Sequence, residues 1–185
     1  IEFIFDDKQK LHLVQVRPLT KKINIRNIDY TNQLKKLEKK IKKLQLPHHD
    51  LLGNKTAFGI MPDWNPAEII GIKPKALSLS LYKYLITDNI WSENRERYGY
   101  YNVYPYHLLT TFYGTPFVDL RIDFNSWLPS SLPNYLKEKI TNLYLKKFLR
   151  NKENHDKIEF EIIYTCLSFD TKNRSIFMDF KYGKD

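Results

Sequence analysis

Two stretches of strict alternation limit the folds open to this chain. Apolar and polar residues take turns in Val118-Asp119-Leu120-Arg121-Ile122-Asp123-Phe124-Asn125, and Ile158-Glu159-Phe160-Glu161-Ile162 repeats the pattern. Successive side chains of an extended chain point to opposite faces, so each stretch reads as a strand with one face for a core and one carrying charge. Strands of this kind belong to antiparallel sheets buried on one side. A further short strand is expected at residues 175–180, after a turn at residues 170–173.

Between and before these stretches the apolar period becomes helical. Leu34, Leu37, Ile41 and Leu44 recur three and four apart in a lysine-rich segment stopped by Pro47. Tyr82, Leu85, Ile86 and Ile90 form a stripe that predicts one helix over residues 78–95, capped by Ser78 or Ser80. Leu136, Ile140, Leu143, Tyr144 and Phe148 predict another, opened by Ser131 and Pro133. In Asn65-Pro66-Ala67-Glu68 the order is that of a capping box: Asn65 at the N-cap, Pro66 where its missing N–H costs nothing, and Glu68 reaching back. The expected class is α+β, a mostly antiparallel sheet covered by helices.

Thirty Lys and Arg against 21 Asp and Glu give a formal charge of +9, which permits a polyanionic partner without naming one. The lysine helix lacks the aromatics that accompany nucleic-acid binding, and the tyrosines of residues 98–106 lie in no RRM-like motif, so nucleic acid is the less favoured partner. Cys166 is the single cysteine and sits in an apolar run, which excludes a disulfide framework and fits a reducing cytoplasm. No apolar run approaches a membrane span, and the first residues have no signal-peptide pattern. His48-His49-Asp50 has no second cluster to complete a metal site. Opening on Ile-Glu-Phe, without Met, the chain reads as part of a larger protein.

The polar faces of the two alternating stretches allow two readings. In water, Arg121 with Glu159 and Lys157 with Asp119 are cross-strand ion pairs of modest worth. Beneath helices, the same groups suit a zwitterionic amino acid, with Arg121 for its carboxylate and Glu159 or Asp119 for its ammonium. Residues alone leave both open. Arg95 and Arg97 near the end of a helix are favoured by its dipole in any case.

A family resemblance rests on four segments in order: MPDWNPAEIIG at residues 61–71, SLYKYLITD at 80–88, VDLRIDFNS at 118–126 and HDKIEFEI at 155–162. Over residues 59–169 the chain resembles the central region of phosphoenolpyruvate-synthase-like phosphotransferases, a family that includes L-glutamine kinases of bacterial capsule biosynthesis. In addition, Ile1-Glu2-Phe3 with Val14-Gln15-Val16-Arg17-Pro18 resembles the closing hairpin of the ATP-grasp nucleotide domain of phosphoenolpyruvate synthases and pyruvate phosphate dikinases. The resemblance implies a division into residues 1–20 (end of the ATP-grasp domain), 21–58 (linker and lysine helix) and 59–185 (acceptor-binding domain). It implies Glu2 and Gln15 as ligands of the Mg²⁺ on ATP, and Arg17 as a phosphate contact. For a small acceptor, with L-glutamine the specific expectation, it implies a site drawn from Trp64, Asn65, Glu68, Arg95, Asp119, Arg121, Asn125, His155, Lys157 and Glu159. The phosphoryl group would come from a phosphohistidine in a further domain whose Gly-rich motif this sequence does not contain. His155 is accordingly not that carrier, and the chain alone is expected to be catalytically silent; the alternative readings are a non-catalytic scaffold linking the nucleotide and phosphohistidine domains and a basic nucleic-acid-binding module.

Overall fold

The computed structural model describes residues 2–17, 29–60, 62, 64–151, 153 and 156–167. The chain divides into two compact units, residues 1–35 and 36–185. It is an α+β protein with small antiparallel sheets.

The first unit holds an antiparallel hairpin of β1 (Glu2–Phe5) and β2 (Leu11–Gln15). Its turn is organised by Asp6, whose Oδ1 accepts from the Lys8 and Lys10 amides, both at 2.9 Å, while Oδ2 lies 2.9 Å from His12 Nε2. Helix α1 (Thr31–Leu44) starts in this unit, where Asp29 Oδ1 accepts from the Thr31 amide, and runs on into the second.

The second unit is built on a three-stranded antiparallel sheet of β3 (Phe58–Gly59), β5 (Thr115–Asp119) and β4 (Leu109–Phe112), with β5 in the centre. Strands β4 and β5 are joined by Tyr113-Gly114, both at positive φ (51° and 81°), as a two-residue hairpin turn demands. Pro116 is tolerated in the central strand because β3 pairs only with Val118 and Asp119, which leaves β5 an edge at the proline.

Helices cover the sheet. After α2 (Pro66–Ile69) come α3 (Ala76–Tyr82), a π-helical stretch at Lys83–Thr87 and α4 (Ile90–Arg97), so the single helix expected over residues 78–95 is three pieces. The Asp88 amide donates to the Lys83 carbonyl five residues back, at 2.8 Å, which breaks the 3.6-residue stripe. Tyr82 is buried, whereas Leu85 and Ile90 face water, and Thr87, Trp91 and Arg95 turn inward instead. Neither Ser78 nor Ser80 caps: the N-cap is Lys75, and the Ser80 hydroxyl donates back to the Leu77 carbonyl at 2.9 Å.

Both alternating stretches depart from the strands expected of them. Strand β5 ends at Asp119, and α5 (Leu120–Ser126) begins at the next residue. Asp119 is the reason, since its Oδ1 accepts from the Arg121 and Ile122 amides at 3.1 and 3.3 Å and opens a helix where a strand would run on. Every residue of α5 is buried, so the helix has no wet face and its sequence no helical period. Residues 158–162 likewise belong to a helix, α7 (Ile158–Leu167), whose Ile158 and Ile162 enter the core while Phe160 is exposed. Ile158 and Ile162 fit one face of either structure, and Glu159 with Glu161 in the first turn favours the helix through its dipole. The expected strand and turn at residues 170–180 lie outside the described residues.

Helix α6 (Asn134–Arg150) follows its sequence stripe: Ile140, Tyr144 and Phe148 are buried, with Leu136 and Leu143 partly so. It packs on α5, with the Phe124 and Tyr144 rings edge to face at 6.3 Å, and α7 packs on it in turn.

Candidate functional site

The residues expected to hold an acceptor fall into a capping group, a structural pair and a buried cluster. At the first, Asn65 Oδ1 accepts from the Ala67 and Glu68 amides at 2.9 and 3.2 Å, the N-cap of α2, and Glu68 is exposed. Trp64 precedes it at φ 55°, a left-handed backbone that a bulky residue adopts only under constraint. The Tyr82 hydroxyl supplies one constraint by donating to the Trp64 carbonyl. This turn is thus held as structure.

Asp119 and Arg121 are also occupied by the fold. Besides capping α5, Asp119 accepts from the Thr56 hydroxyl, and burial pushes its carboxyl above the ordinary range against those donors and Arg121. Arg121, only 1% exposed, donates from Nη1 to the Leu46 carbonyl at 3.0 Å and from Nη2 to the Leu44 carbonyl at 2.9 Å. Its planar fork closes the C-terminal end of α1, where carbonyls are left over. The carboxylate-binding role expected of it is already filled by backbone. Asn125 donates to the Leu52 carbonyl at 2.8 Å and accepts from the Leu52 amide at 2.9 Å, fastening an irregular segment. Gln45 does the same for Thr56, donating at 2.7 Å and accepting at 2.9 Å.

The third group is different. From α4, Arg95 Nη1 donates to Asp123 Oδ1 on α5 at 3.1 Å and to the Ser126 hydroxyl. Its guanidinium lies over the Trp127 ring at 3.6 Å from the centroid and near Trp91 at 4.9 Å. Tyr100 stands edge-on to Trp127 at 5.4 Å. Arg95 and Asp123 are both buried; burial pushes the Asp123 carboxyl up, while Arg95 beside it pulls it back. Glu159, 8% exposed on α7, interacts with both. Burial pushes its carboxyl up to about 7, against a hydrogen bond from its own backbone amide; Asp123 and Asp156 push the same way as burial, and Arg95 opposes them. Its Oε2 meets no hydrogen-bond donor among the described residues. The Arg95–Asp123 pair joins α4 to α5, and Glu159 of α7 lies within reach of its charge.

Lys157 is exposed in the turn before α7, and His155 lies outside the described residues. Sequence alone missed Asp123, Ser126 and Trp127, because period two places Asp123 on an outer face and the alternation stops at Asn125, short of the other two. Trp91 and Arg95, four apart on one helix, were the available signal.

In the first unit Glu2 and Gln15 are direct partners in the hairpin register, which puts their side chains on one face. A carboxylate and an amide oxygen side by side fit two positions of a hard cation, with phosphate and water left to complete it. Arg17 follows β2 and is exposed. Among the described residues no group of three or more His, Cys, Asp or Glu could hold a metal by itself, and no helix is long and apolar enough to cross a membrane. Among the tyrosines of residues 98–106, Tyr98 and Tyr104 stand in solvent, and Tyr101 donates to the Asp50 carbonyl at 3.2 Å. Compared with protein-family models, with curated proteins and with solved structures, the chain matches none.

Proposed function

We propose that the chain is part of a cytoplasmic, ATP-dependent phosphotransferase of the phosphoenolpyruvate-synthase-like kind, and that residues 36–185 receive its small amino-acid acceptor, with L-glutamine the specific candidate. The observation that carries this reading is the meeting of Arg95, Asp123 and Glu159, from segments far apart in sequence, in one water-poor cluster walled by Trp91 and Trp127. Among the described residues two carboxyls face one guanidinium there, and an ammonium group beside them would favour the ionised form of Glu159. Preorganised charge of this kind holds an acceptor in place for transfer from a donor domain. In the first unit Glu2 and Gln15 would hold Mg²⁺, which when bound neutralises charge on the ATP phosphates, and Arg17 would contact those phosphates. Both the ATP-grasp domain and the phosphohistidine domain are required partners, so the chain by itself would transfer nothing.

Calorimetric titration of the chain with L-glutamine, L-glutamate and pyruvate tests this. Binding of an amino acid, weakened at least tenfold by Asp123→Asn, is the expected result. Absence of binding by all three compounds would overturn the acceptor reading.

A further inference from the structure

Helix α3 and the π-helical stretch after it carry large apolar residues on two sides, and the fold uses one. Tyr82 is buried and Leu79 and Ile86 are partly so. On the opposite side Leu77, Leu81, Tyr84 and Leu85, spaced at i, i+4, i+7 and i+8, are each between 48% and 76% exposed. The Ser80 hydroxyl, on the flank of this stripe, is turned back onto the Leu77 carbonyl at 2.9 Å. Charge on the segment has one sign. Between Glu68 and Asp88 the sequence contains no acid and three lysines, Lys73, Lys75 and Lys83. Lys73 and Lys75 are exposed, while Lys83 lies 3.8 Å from Asp88 Oδ1, an oxygen that His107 also approaches at 3.5 Å. Helix α1 is richer in lysine but offers no such stripe, because Leu37, Ile41 and Leu44 are partly buried and only Leu34 of the four is exposed.

We propose that the stripe of Leu77, Leu81, Tyr84 and Leu85, with Lys73 and Lys75 beside its start, seats the chain on the surface of an anionic lipid membrane. This goes beyond the phosphotransferase reading and stands or falls apart from it. Size and charge select the occupant. A stable protein–protein contact takes about 20–30 residues a side, and about two and a half turns of one helix fall well short of that. A symmetric contact with a second copy would also bring the same lysines together. A lipid surface asks for neither a large area nor a matching relief. Apolar side chains enter the boundary between headgroups and acyl chains to a depth of about 5–10 Å, and lysines remain at the anionic headgroups. Tyr84, with an apolar ring and a polar tip, suits that boundary. Among the described residues no helix is long and apolar enough to cross a membrane, so the contact lies on the surface.

Co-sedimentation of the chain with vesicles of phosphatidylcholine alone, and of phosphatidylcholine mixed with phosphatidylglycerol, tests this. Binding to the mixed vesicles is expected, weakened about tenfold or more by Leu77→Gln with Leu81→Gln and weakened also by Lys73→Gln with Lys75→Gln. All four positions face water, so the variants are expected to keep the circular dichroism of the unaltered chain. Absence of binding to the mixed vesicles overturns the proposal. So does binding that the leucine pair leaves unchanged, since the contact would then rest on lysines elsewhere, those of α1 first. Self-association in sedimentation velocity that the leucine pair abolishes also overturns it and makes the stripe a contact between copies. Should the leucine pair fail to fold, Tyr84→Trp decides: emission quenched by brominated acyl chains supports insertion, and emission they leave unchanged refutes it. Glutamine binding is measured without vesicles, so failure of the acceptor reading and failure of the membrane seat give different results.

Discussion

Arg121→Met separates the two roles an arginine at this position could have. The substitution keeps most of the buried stem and removes the fork that donates to the Leu44 and Leu46 carbonyls at 2.9 and 3.0 Å. Hydrogen bonds from a charged donor contribute about 1.5–3 kcal/mol each, and the two carbonyls left behind at the end of α1 have no equivalent donor. Asp119, fully buried, also loses the cation beside it. Together these put the loss at about 3–5 kcal/mol, against a total of about 5–15 kcal/mol for an ordinary domain. Urea unfolding with linear extrapolation measures it, and Arg121→Lys should fall between, since an ammonium on a flexible stem satisfies one carbonyl more easily than two. The reasoning is refuted if Arg121→Met costs less than about 1 kcal/mol, particularly if acceptor binding disappears at the same time. That outcome would return the guanidinium to the ligand.

Two smaller substitutions test neighbouring features. Tyr82→Phe removes the donor to the Trp64 carbonyl and should cost about 1 kcal/mol in urea unfolding, with a change in tryptophan fluorescence as the turn relaxes. Gly53→Ala meets both a backbone at φ 111° and a Cβ placed 2.9 Å from Thr141 Cγ2 and 3.6 Å from Arg121 Cδ, so it should cost about 1–3 kcal/mol and lower the thermal midpoint.

The sequence revealed most where one face of an element meets water. The α6 stripe was legible because Leu149 and Tyr135 lie outside while Ile140 and Tyr144 lie within, and the Asn65-Pro66 helix start was legible because its capping chemistry is local. It failed at α5, where Arg121, Asp123 and Asn125 are as buried as Leu120 and Phe124 and alternation has no outward face to report. The decisive cue there was a single Asp at the N-cap, which looks like any other polar residue of a strand. At α7 two isoleucines four apart satisfied both periods. For the candidate site, Glu159 lies on a helix and not on the strand face that suggested it, and Asp119, Arg121 and Asn125 are held by backbone groups that a one-dimensional reading cannot supply. Nothing local announces that a guanidinium will find the end of a helix some 75 positions earlier.

The carboxamides of Gln45 and Asn125 have a consequence for how this domain can drift. Each grips one residue of the 45–57 stretch through its amide and its carbonyl at once, so topology in that stretch is written in side chains where a ladder of strands would otherwise write it. Exchange for the acid of identical shape sets oxygen against oxygen at one of the two points, and exchange for a hydrocarbon abandons both. Two unremarkable amides therefore belong among the least replaceable letters of the chain, at positions no hydropathy plot would single out.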